Sequence, residues 1–228
     1  MSTAGRLAEP QVEAMFDRIA SVYDLMNSVM TAGMHQRWRE RAVDLASVAE
    51  GSRALDVATG TGDLAIALRD RGAEVVGVDF AEKMLAIARQ KAPQIDFRAG
   101  NALALEFDDD EFDAATVGFG ARNFDDLDRG IAEMVRVVRP GGRVVILEIT
   151  TPQKPPLSFF FRLWFDSIVP LIGRLAGDSD AYEYLPNSVK RFPDPHALAQ
   201  RMVAAGMTDV RWILTAGGII AIHSGRVA

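Results

Sequence analysis

Residues 55–64 read Leu55-Asp56-Val57-Ala58-Thr59-Gly60-Thr61-Gly62-Asp63-Leu64, which predicts a strand, a sharp turn and the start of a helix. Leu55 and Val57 suit a strand that is buried on both faces. Gly60 and Gly62 let the backbone turn closely against a ligand, and Asp63 follows at a position suited to an N-cap. Such a turn into a helix N-terminus predicts a nucleotide-binding corner, because free amides and the positive end of the helix dipole meet there.

The next predicted strand indicates which kind of nucleotide binds. It is apolar until it ends in Asp79, 17 positions after Gly62. An acid at this place is able to accept hydrogen bonds from both hydroxyls of a ribose. A nucleoside ligand is therefore expected. Residues 60–65 also satisfy a looser dinucleotide pattern, so the turn alone leaves NAD open.

Three features favour S-adenosylmethionine over NAD. Asp56 would face an amino group or a cation but would repel a pyrophosphate. Asn101 and Ala102 follow a third predicted strand and offer a side-chain amide beside a small residue, which suits an adenine edge. The run 139–142, Arg-Pro-Gly-Gly, leads into another apolar strand. Together these features resemble the class I methyltransferases.

Strands and helices alternate through the first two thirds of the chain. The predicted strands are 53–58, 74–79, 95–98, 112–118 and 143–149, and the predicted helices between them are 63–71, 81–91 and 125–138. This order predicts an α/β fold with a doubly wound, mostly parallel, Rossmann-like sheet. Two later strands, 208–214 and 218–223, predict an antiparallel C-terminal hairpin that makes the sheet seven-stranded. Residues 10–49 predict two or three preceding helices.

Length and composition set outer limits on the function. No composition shift divides the 228 residues, so we predict a single domain over 1–228, with a helical N-terminal cap at 1–50. The net charge is −6 and no basic run appears, so nucleic acid is not an expected partner. Cysteine is absent and the three histidines lack metal-ligand spacing, so no metal is expected. Without an apolar run at the N-terminus, a cytoplasmic location is expected.

The alternation breaks after Thr150, and we predict a lid or substrate insertion over 150–195. Within it, 157–176 is apolar but is interrupted every four residues by Arg162, Asp166, Pro170 and Arg174. These interruptions make the segment unsuited to spanning a bilayer. Two interpretations stay open: an amphipathic lid that contacts an apolar substrate or a membrane surface, and ordinary packing over the sheet.

Arg122 and Asn123 follow the fourth predicted strand, where the first and fourth strands diverge. Ligands in doubly wound sheets bind outside the carboxyl ends of the strands at such a point. The two side chains are therefore expected to face the reacting centre. They are also suited to capping the following helix, and neither role excludes the other.

Four stretches carry a closer family resemblance: Tyr23-Asp24-Leu25-Met26-Asn27, Phe119-Gly120-Ala121-Arg122-Asn123, Arg139-Pro140-Gly141-Gly142 and Tyr182-Glu183-Tyr184-Leu185. As a set they resemble the menaquinone/ubiquinone biosynthesis C-methyltransferases, over residues 13–225. The resemblance implies methyl transfer from S-adenosylmethionine to a ring carbon of a polyprenylated quinol. It also implies cofactor binding by Thr61, Asp79, Asn101 and Ala102. We place Tyr23 and Tyr182 on the substrate side.

The substrate expected from this resemblance is a demethylmenaquinol. The ubiquinone-type pattern often has Ser where this chain has Gly118, which tilts the prediction away from the ubiquinol precursor 2-methoxy-6-polyprenyl-1,4-benzoquinol. We hypothesise that Arg122 and Asn123 position a water or the quinol oxygen and stabilise a developing phenolate. The alternatives from other classes are a NAD-type oxidoreductase and a non-catalytic S-adenosylmethionine-binding protein. Peripheral membrane contact and a homodimer are left open.

Overall fold

The computed structural model describes residues 9–31, 33–152, 155, 159, 161 and 179–228. The described helices are α1 (Glu9–Thr31), α2 (Met34–Ala46), α3 (Asp63–Arg69), α4 (Glu82–Lys91), α5 (Leu127–Arg136), α6 (Ser179–Arg191) and α7 (Pro195–Ala204). The described strands are β1 (Arg53–Val57), β2 (Glu74–Asp79), β3 (Asp96–Ala99), β4 (Phe112–Gly118), β5 (Val138–Ile149), β6 (Met207–Thr215) and β7 (Ile220–Val227). A short 3-10 turn, Ala121–Asn123, follows β4.

The strands of the described ranges form one seven-stranded sheet in the order β3-β2-β1-β4-β5-β7-β6. Strands β1 to β5 are parallel to one another, and β7 is antiparallel to both β5 and β6. This confirms the predicted doubly wound sheet with an antiparallel C-terminal hairpin. The strand order reverses between β1 and β4, which leaves a crevice at their carboxyl ends.

The apolar sequence of the central strands follows from burial on both faces of the sheet. Ala54 belongs to the hydrophobic cluster that includes Trp38 of α2 and Leu68 of α3. Its neighbour Leu55 belongs to the opposite cluster, which includes Ile131 of α5. Successive side chains of a strand point to opposite faces, so a strand covered by helices on both sides is apolar throughout.

Two helices within the described residues precede β1, in agreement with the prediction for 10–49. Helix α1 is continuous through Tyr23 and ends before α2 begins at Met34. Val12 and Met15 of α1 lie in one buried cluster with Met84 of α4 and Tyr184 of α6. Helix α1 is thereby packed onto α4 and α6 beside the crevice.

Two local predictions were wrong. Asp63 is not an N-cap: Gly62 holds that position with φ of 83°, and the Asp63 carboxylate turns to Arg39 of α2 and Lys91 of α4. Strand β5 begins at Val138 rather than 143, with a register irregularity opposite Phe112 and Ala114. In both cases a partner far along the chain determines the local geometry.

Half of the predicted lid, including 162–178, lies outside the described residues. The lid at 150–195, the cap at 1–50 and the single domain over 1–228 therefore stay predictions. The described end of the insertion is helical, since α6 covers Ser179–Arg191. Among the helices that the structure describes, none is long and apolar enough to cross a membrane.

Candidate active site

A cleft of about 610 Å³ opens at the carboxyl ends of β1 and β4. Phe16 and Tyr23 of α1 and Arg39 of α2 contribute to its walls. A smaller cavity of about 360 Å³ adjoins it, and Asp79 and Asn123 line both spaces. The two spaces lie where the strand order reverses, which is the expected ligand position in this fold.

The loop between β1 and α3 forms a tight turn in this cleft. Ala58, Gly60 and Gly62 all have positive φ, with values of 51°, 56° and 83°. A Cβ atom on Gly62 would lie 2.9 Å from the ring of Phe97. Position 62 therefore requires glycine both for its backbone conformation and for the space beside β3.

Asp79 ends β2 at the junction of the two spaces. Its Oδ2 accepts a hydrogen bond from the amide of Gly60 at 2.8 Å, and its Oδ1 accepts one from the amide of Ala81 at 2.8 Å. Burial raises the pKa of Asp79, while these amides act in the opposite direction. Each carboxylate oxygen has a further lone pair with which to accept a ligand hydroxyl.

Asn101 and Ala102 lie in the smaller cavity rather than in the main cleft. Asn101 Oδ1 accepts a hydrogen bond from the amide of Leu103 at 2.8 Å, which fixes the side chain just after β3. Ala102 is buried beside it. A polar side chain is thus presented next to a small apolar one, as the adenine interpretation requires.

Asp56 is almost fully buried within β1, with 1% of its surface exposed. Its Oδ2 accepts a hydrogen bond from Thr59 Oγ1 at 2.6 Å, and its Oδ1 accepts one from Thr116 Oγ1 at 2.7 Å. Burial raises the pKa of Asp56 to about 6 against the effect of both hydroxyls. Asp56 therefore braces the glycine loop against β4, in addition to lining the cleft.

Thr61 joins the glycine loop to the N-terminal helix. Its hydroxyl donates a hydrogen bond to Asp24 Oδ1 of α1 at 2.6 Å. Lys91 Nζ of α4 lies 3.0 Å from Asp24 Oδ2 and also contacts Asp63. This polar cluster holds α1, the glycine loop and α4 together at the rim of the cleft.

Arg122 forms a buried ion pair behind the cleft. Its Nη1 lies 2.7 Å from Glu148 Oε1 at the end of β5, and their side chains are 8% and 1% exposed. The same nitrogen also donates to the carbonyl oxygen of Phe119. Burial alone would lower the pKa of Arg122, but the Glu148 carboxylate raises it above its ordinary value, so the guanidinium stays charged. Its Nε is buried and has no hydrogen-bond partner within the described residues.

Asn123 connects the loop after β4 to helix α6. Its side-chain Oδ1 accepts a hydrogen bond from the Tyr184 hydroxyl at 3.2 Å, and Tyr184 is buried. Tyr23 of α1 lines the same main cleft as Asn123. The side chain of Tyr182 lies outside what the structure describes, so its predicted substrate contact is untested.

The two spaces bring together most of the predicted site residues. The main cleft is lined by Tyr23, Asp56, Gly60, Thr61, Asp79 and Asn123, and the adjoining cavity by Asp79, Asn101, Ala102 and Asn123. Gly62 shapes the turn and Arg122 pairs with Glu148, and neither is among the described residues that line these two spaces. The sequence analysis did not single out Arg39, Asp24, Lys91, Glu148 or Tyr184. Of these, Asp24 and Tyr184 lie inside family-like stretches, which was the available signal.

The site suits a nucleoside that carries a charged amino-acid portion. A buried acid at the end of β2, a glycine turn and an adjoining small cavity match the needs of a ribose and a base. Arg39 Nη1 is a buried cationic donor that makes no hydrogen bond to any described residue. The donor set therefore fits S-adenosylmethionine, whose α-carboxylate is anionic.

Comparison with protein-family models matches residues 5–227 to the ubiE/COQ5 methyltransferase family. The chain belongs to this family. Membership confirms the resemblance drawn from Tyr23–Asn27, Phe119–Asn123 and the other family-like stretches. It also agrees with the cleft geometry, because residues from the first two of these stretches line the same cleft.

Several relatives from this family are similar over nearly their whole length. A demethylmenaquinone methyltransferase of Thermus thermophilus is 49% identical over 218 residues, which covers 92% of this chain and 99% of the relative. A demethylmenaquinone methyltransferase of Roseiflexus castenholzii is 47% identical, covering 94% of this chain and 92% of the relative.

Solved structures at low identity share the fold. A S-adenosylmethionine-dependent methyltransferase of Thermotoga maritima superposes with a TM-score of 0.68 at 19% identity, covering 94% of this chain and 99% of that chain. A Haemonchus contortus phosphoethanolamine N-methyltransferase, solved with S-adenosylmethionine, gives a TM-score of 0.60 at 14% identity, covering 81% of this chain and 50% of that chain. These matches confirm the class I methyltransferase fold.

Proposed function

We propose that the chain transfers a methyl group from S-adenosylmethionine to a ring carbon of demethylmenaquinol, giving menaquinol and S-adenosylhomocysteine. The observation that carries this proposal is the 49% and 47% identity to demethylmenaquinone methyltransferases over almost the whole of both chains. The names of these relatives favour demethylmenaquinol over the ubiquinol precursor. Membership of a methyltransferase family disfavours the NAD-type oxidoreductase.

We assign cofactor binding to the residues of the glycine turn and the two adjoining strand ends. Asp79 would accept the ribose hydroxyls, and Asn101 and Ala102 would contact the adenine. Thr61, Gly60 and Gly62 would shape the space for the rest of the molecule, and Asp56 would hold that turn from below. The support is positional: Asp79 lines both spaces, and Asn101 lies only in the smaller one.

When bound, S-adenosylmethionine supplies an electrophilic sulfonium methyl group. A quinol ring carbon is a good nucleophile only when electron-rich, so a neighbouring hydroxyl must lose its proton as the carbon–carbon bond forms. The protein accordingly needs to orient the ring and to stabilise negative charge on one quinol oxygen. It also needs to keep water away from the reacting atoms.

Arg122 and Asn123 are the proposed catalytic residues. The Arg122 Nε has no hydrogen-bond partner in the described part of the chain, and it is buried. Because Glu148 fixes the other side of the guanidinium, that free donor has a defined direction. The charged guanidinium is a donor and not a base, so we propose that it binds a water or the quinol oxygen while the hydroxyl proton leaves to solvent. After the methyl group has left the sulfonium as S-adenosylhomocysteine forms, the methylated ring carbon loses its own hydrogen as a proton and the quinol oxygen regains one, so that one proton is released overall. Tyr184 holds the Asn123 amide in place.

The apolar substrate points to a contact between the enzyme and a membrane surface. We propose that 157–176 contacts the prenyl tail at a membrane surface, from the cytoplasmic side. The support is the amphipathic sequence of this segment and the exposure of Phe159 within it, which is 66%. Sedimentation with anionic vesicles tests the membrane contact. A homodimer remains a proposal that sedimentation equilibrium would test.

The direct test is transfer of labelled methyl to a short-chain demethylmenaquinone, run with the ring reduced and with the ring oxidised. Label in the reduced ring alone is expected, because only the quinol supplies a phenolate. A parallel reaction uses 2-methoxy-6-prenyl-1,4-benzoquinol and is expected to give much less product. Preferential labelling of that benzoquinol, or of the oxidised ring, would overturn the assignment.

A further inference from the structure

Arg39 of α2 is a buried cation in the wall of the main cleft. It is 9% exposed and lines the cleft together with Gly60 and Thr61. Its Nη1 lies 3.1 Å from Asp63 Oδ2 but makes no hydrogen bond to any residue that the structure describes. A buried donor that makes no hydrogen bond is costly even beside an ion-pair partner, so such an atom in a cleft wall points to a ligand acceptor.

The surroundings of Arg39 leave its charge only partly compensated. Asp63 is shared, because its other carboxylate oxygen contacts Lys91 of α4. Asp56 lies deeper and is already bound by Thr59 and Thr116. An incoming carboxylate would therefore find a guanidinium with donor capacity to spare, and the planar guanidinium matches carboxylate geometry.

The position of Arg39 relative to Asp79 indicates which ligand group reaches it. Asp79 stands between the two spaces, with Asn101 in the smaller cavity and Arg39 in the main cleft. A nucleoside with its ribose at Asp79 and its base toward Asn101 directs its 5′ substituent into the main cleft. In S-adenosylmethionine that substituent carries an α-amino acid.

We propose that Arg39 binds the α-carboxylate of the methionine portion of the cofactor. This assignment rests on the proposed function, since it takes S-adenosylmethionine as the ligand. It adds a residue of α2 to the proposed cofactor-binding residues, which otherwise lie at strand ends and in the glycine turn. Arg39 thereby couples α2 to the amino-acid end of the ligand, opposite the adenine.

Isothermal titration with two ligands separates this role from a structural one. S-adenosylhomocysteine carries the amino-acid portion, whereas 5′-methylthioadenosine has the same adenosine and a thioether but no carboxylate. In Arg39→Gln, affinity for S-adenosylhomocysteine is expected to fall about ten- to a hundred-fold, the range for loss of a charge-assisted hydrogen bond. Affinity for 5′-methylthioadenosine is expected to stay within about two-fold, which also shows that the site is folded.

Arg37→Gln is the matched control, because Arg37 is an exposed arginine on the same helix. It is expected to leave both affinities unchanged. Arg39→Lys keeps the charge but loses the planar donor pair, and an intermediate loss confined to S-adenosylhomocysteine is expected. Equal losses for both ligands in Arg39→Gln, or no loss for either, would overturn the assignment.

The same titrations distinguish failure of this assignment from failure of the proposed function. If the wild-type chain binds S-adenosylhomocysteine and the ligand-selective loss occurs, the Arg39 assignment stands whether or not demethylmenaquinol is methylated. If the wild-type chain binds neither ligand, the cofactor assignment falls and the Arg39 assignment falls with it.

Discussion

Arg39 and Arg122 are two buried arginines that each pair with an acid, Asp63 and Glu148 respectively. Arg122 and Glu148 have side chains only 8% and 1% exposed. Arg39 faces Asp63, whose side chain is 25% exposed and also contacts Lys91. Both arginines keep one buried nitrogen without a hydrogen-bond partner in the described residues.

The difference lies in what compensates each charge. The Arg122 charge is neutralised from within the fold, so its free Nε is held in a fixed direction beside the loop after β4. The Arg39 charge is compensated at the rim, where solvent and a second cation weaken the pair. We infer that Arg122 is oriented before the quinol arrives, whereas Arg39 completes its bonding only with the cofactor carboxylate.

Glu148→Ala tests the deeper pair and has the largest expected effect. Removing one partner leaves the Arg122 charge buried, so the free energy of unfolding in urea is expected to fall by about 3–5 kcal/mol. The double variant Arg122→Met with Glu148→Leu is expected to recover most of this loss, because no charge stays buried. A double variant as unstable as Glu148→Ala would contradict the role of the pair.

Asp56→Asn tests how the unfolding free energy depends on pH through Asp56, the buried acid that lines the main cleft together with Arg39. Folding raises the pKa of Asp56 from 3.8 to about 6, so the folded state binds the extra proton in this window. The resulting stabilisation is complete below about pH 4 and is lost as the pH rises through about 6. We therefore compare the unfolding free energies of the wild type and of Asp56→Asn at each pH. The advantage of the wild type is expected to fall by about 2–3 kcal/mol between pH 4 and pH 7. A difference that stays constant with pH would refute the raised pKa.

Gly62→Ala tests how strongly the backbone conformation of the glycine loop determines the position of Asp63 at the rim of the cleft. Gly62 has φ of +83°, and an added Cβ would lie 2.9 Å from Phe97. A loss of about 1–3 kcal/mol is expected, with weaker S-adenosylhomocysteine binding. Gly51→Ala is the control, since Gly51 has φ of +77° but nothing within 4 Å of the added atom. Equal losses in stability and affinity for both variants would exclude a specific role for the Phe97 contact.

Asp63→Ala has the smallest expected effect on folding. Its carboxylate is partly exposed and shared between Arg39 and Lys91, so a loss of about 1 kcal/mol or less in urea is expected. Asp44→Ala is the control, because it removes another partly exposed acid, which pairs with Arg71 away from the cleft. A loss for Asp63→Ala as large as that of Glu148→Ala would remove the distinction between the two arginines.

Residues whose placement is set by adjacent sequence were predictable, whereas ion pairs between distant residues were not, and the two arginines show why. Asp56, Gly60 and Asp79 lie at strand ends or in a turn, where a few adjacent residues determine their placement. Arg39 meets Asp63 and Arg122 meets Glu148 only after the sheet has formed. Such pairs have no local sequence pattern, because the topology decides which distant residues meet.

The incorrect predictions have the same origin. Asp63 has the sequence context of an N-cap, but two distant cations draw its carboxylate away and Gly62 takes the capping position. Strand β5 starts early because residues before Gly142 find a partner in Phe112 of β4. The hairpin of β6 and β7 was predictable, since its strands and turn are contiguous.

The most direct test measures methyl transfer to demethylmenaquinol at rising S-adenosylmethionine in Arg39→Gln and in Arg122→Met with Glu148→Leu. Saturating cofactor is expected to restore kcat in Arg39→Gln, since only cofactor binding is weakened. The double variant is expected to keep its S-adenosylhomocysteine affinity and to lose kcat by about a hundred-fold or more at any cofactor concentration. Restored kcat in the double variant, or a kcat loss in Arg39→Gln that saturation does not relieve, would contradict the division of roles.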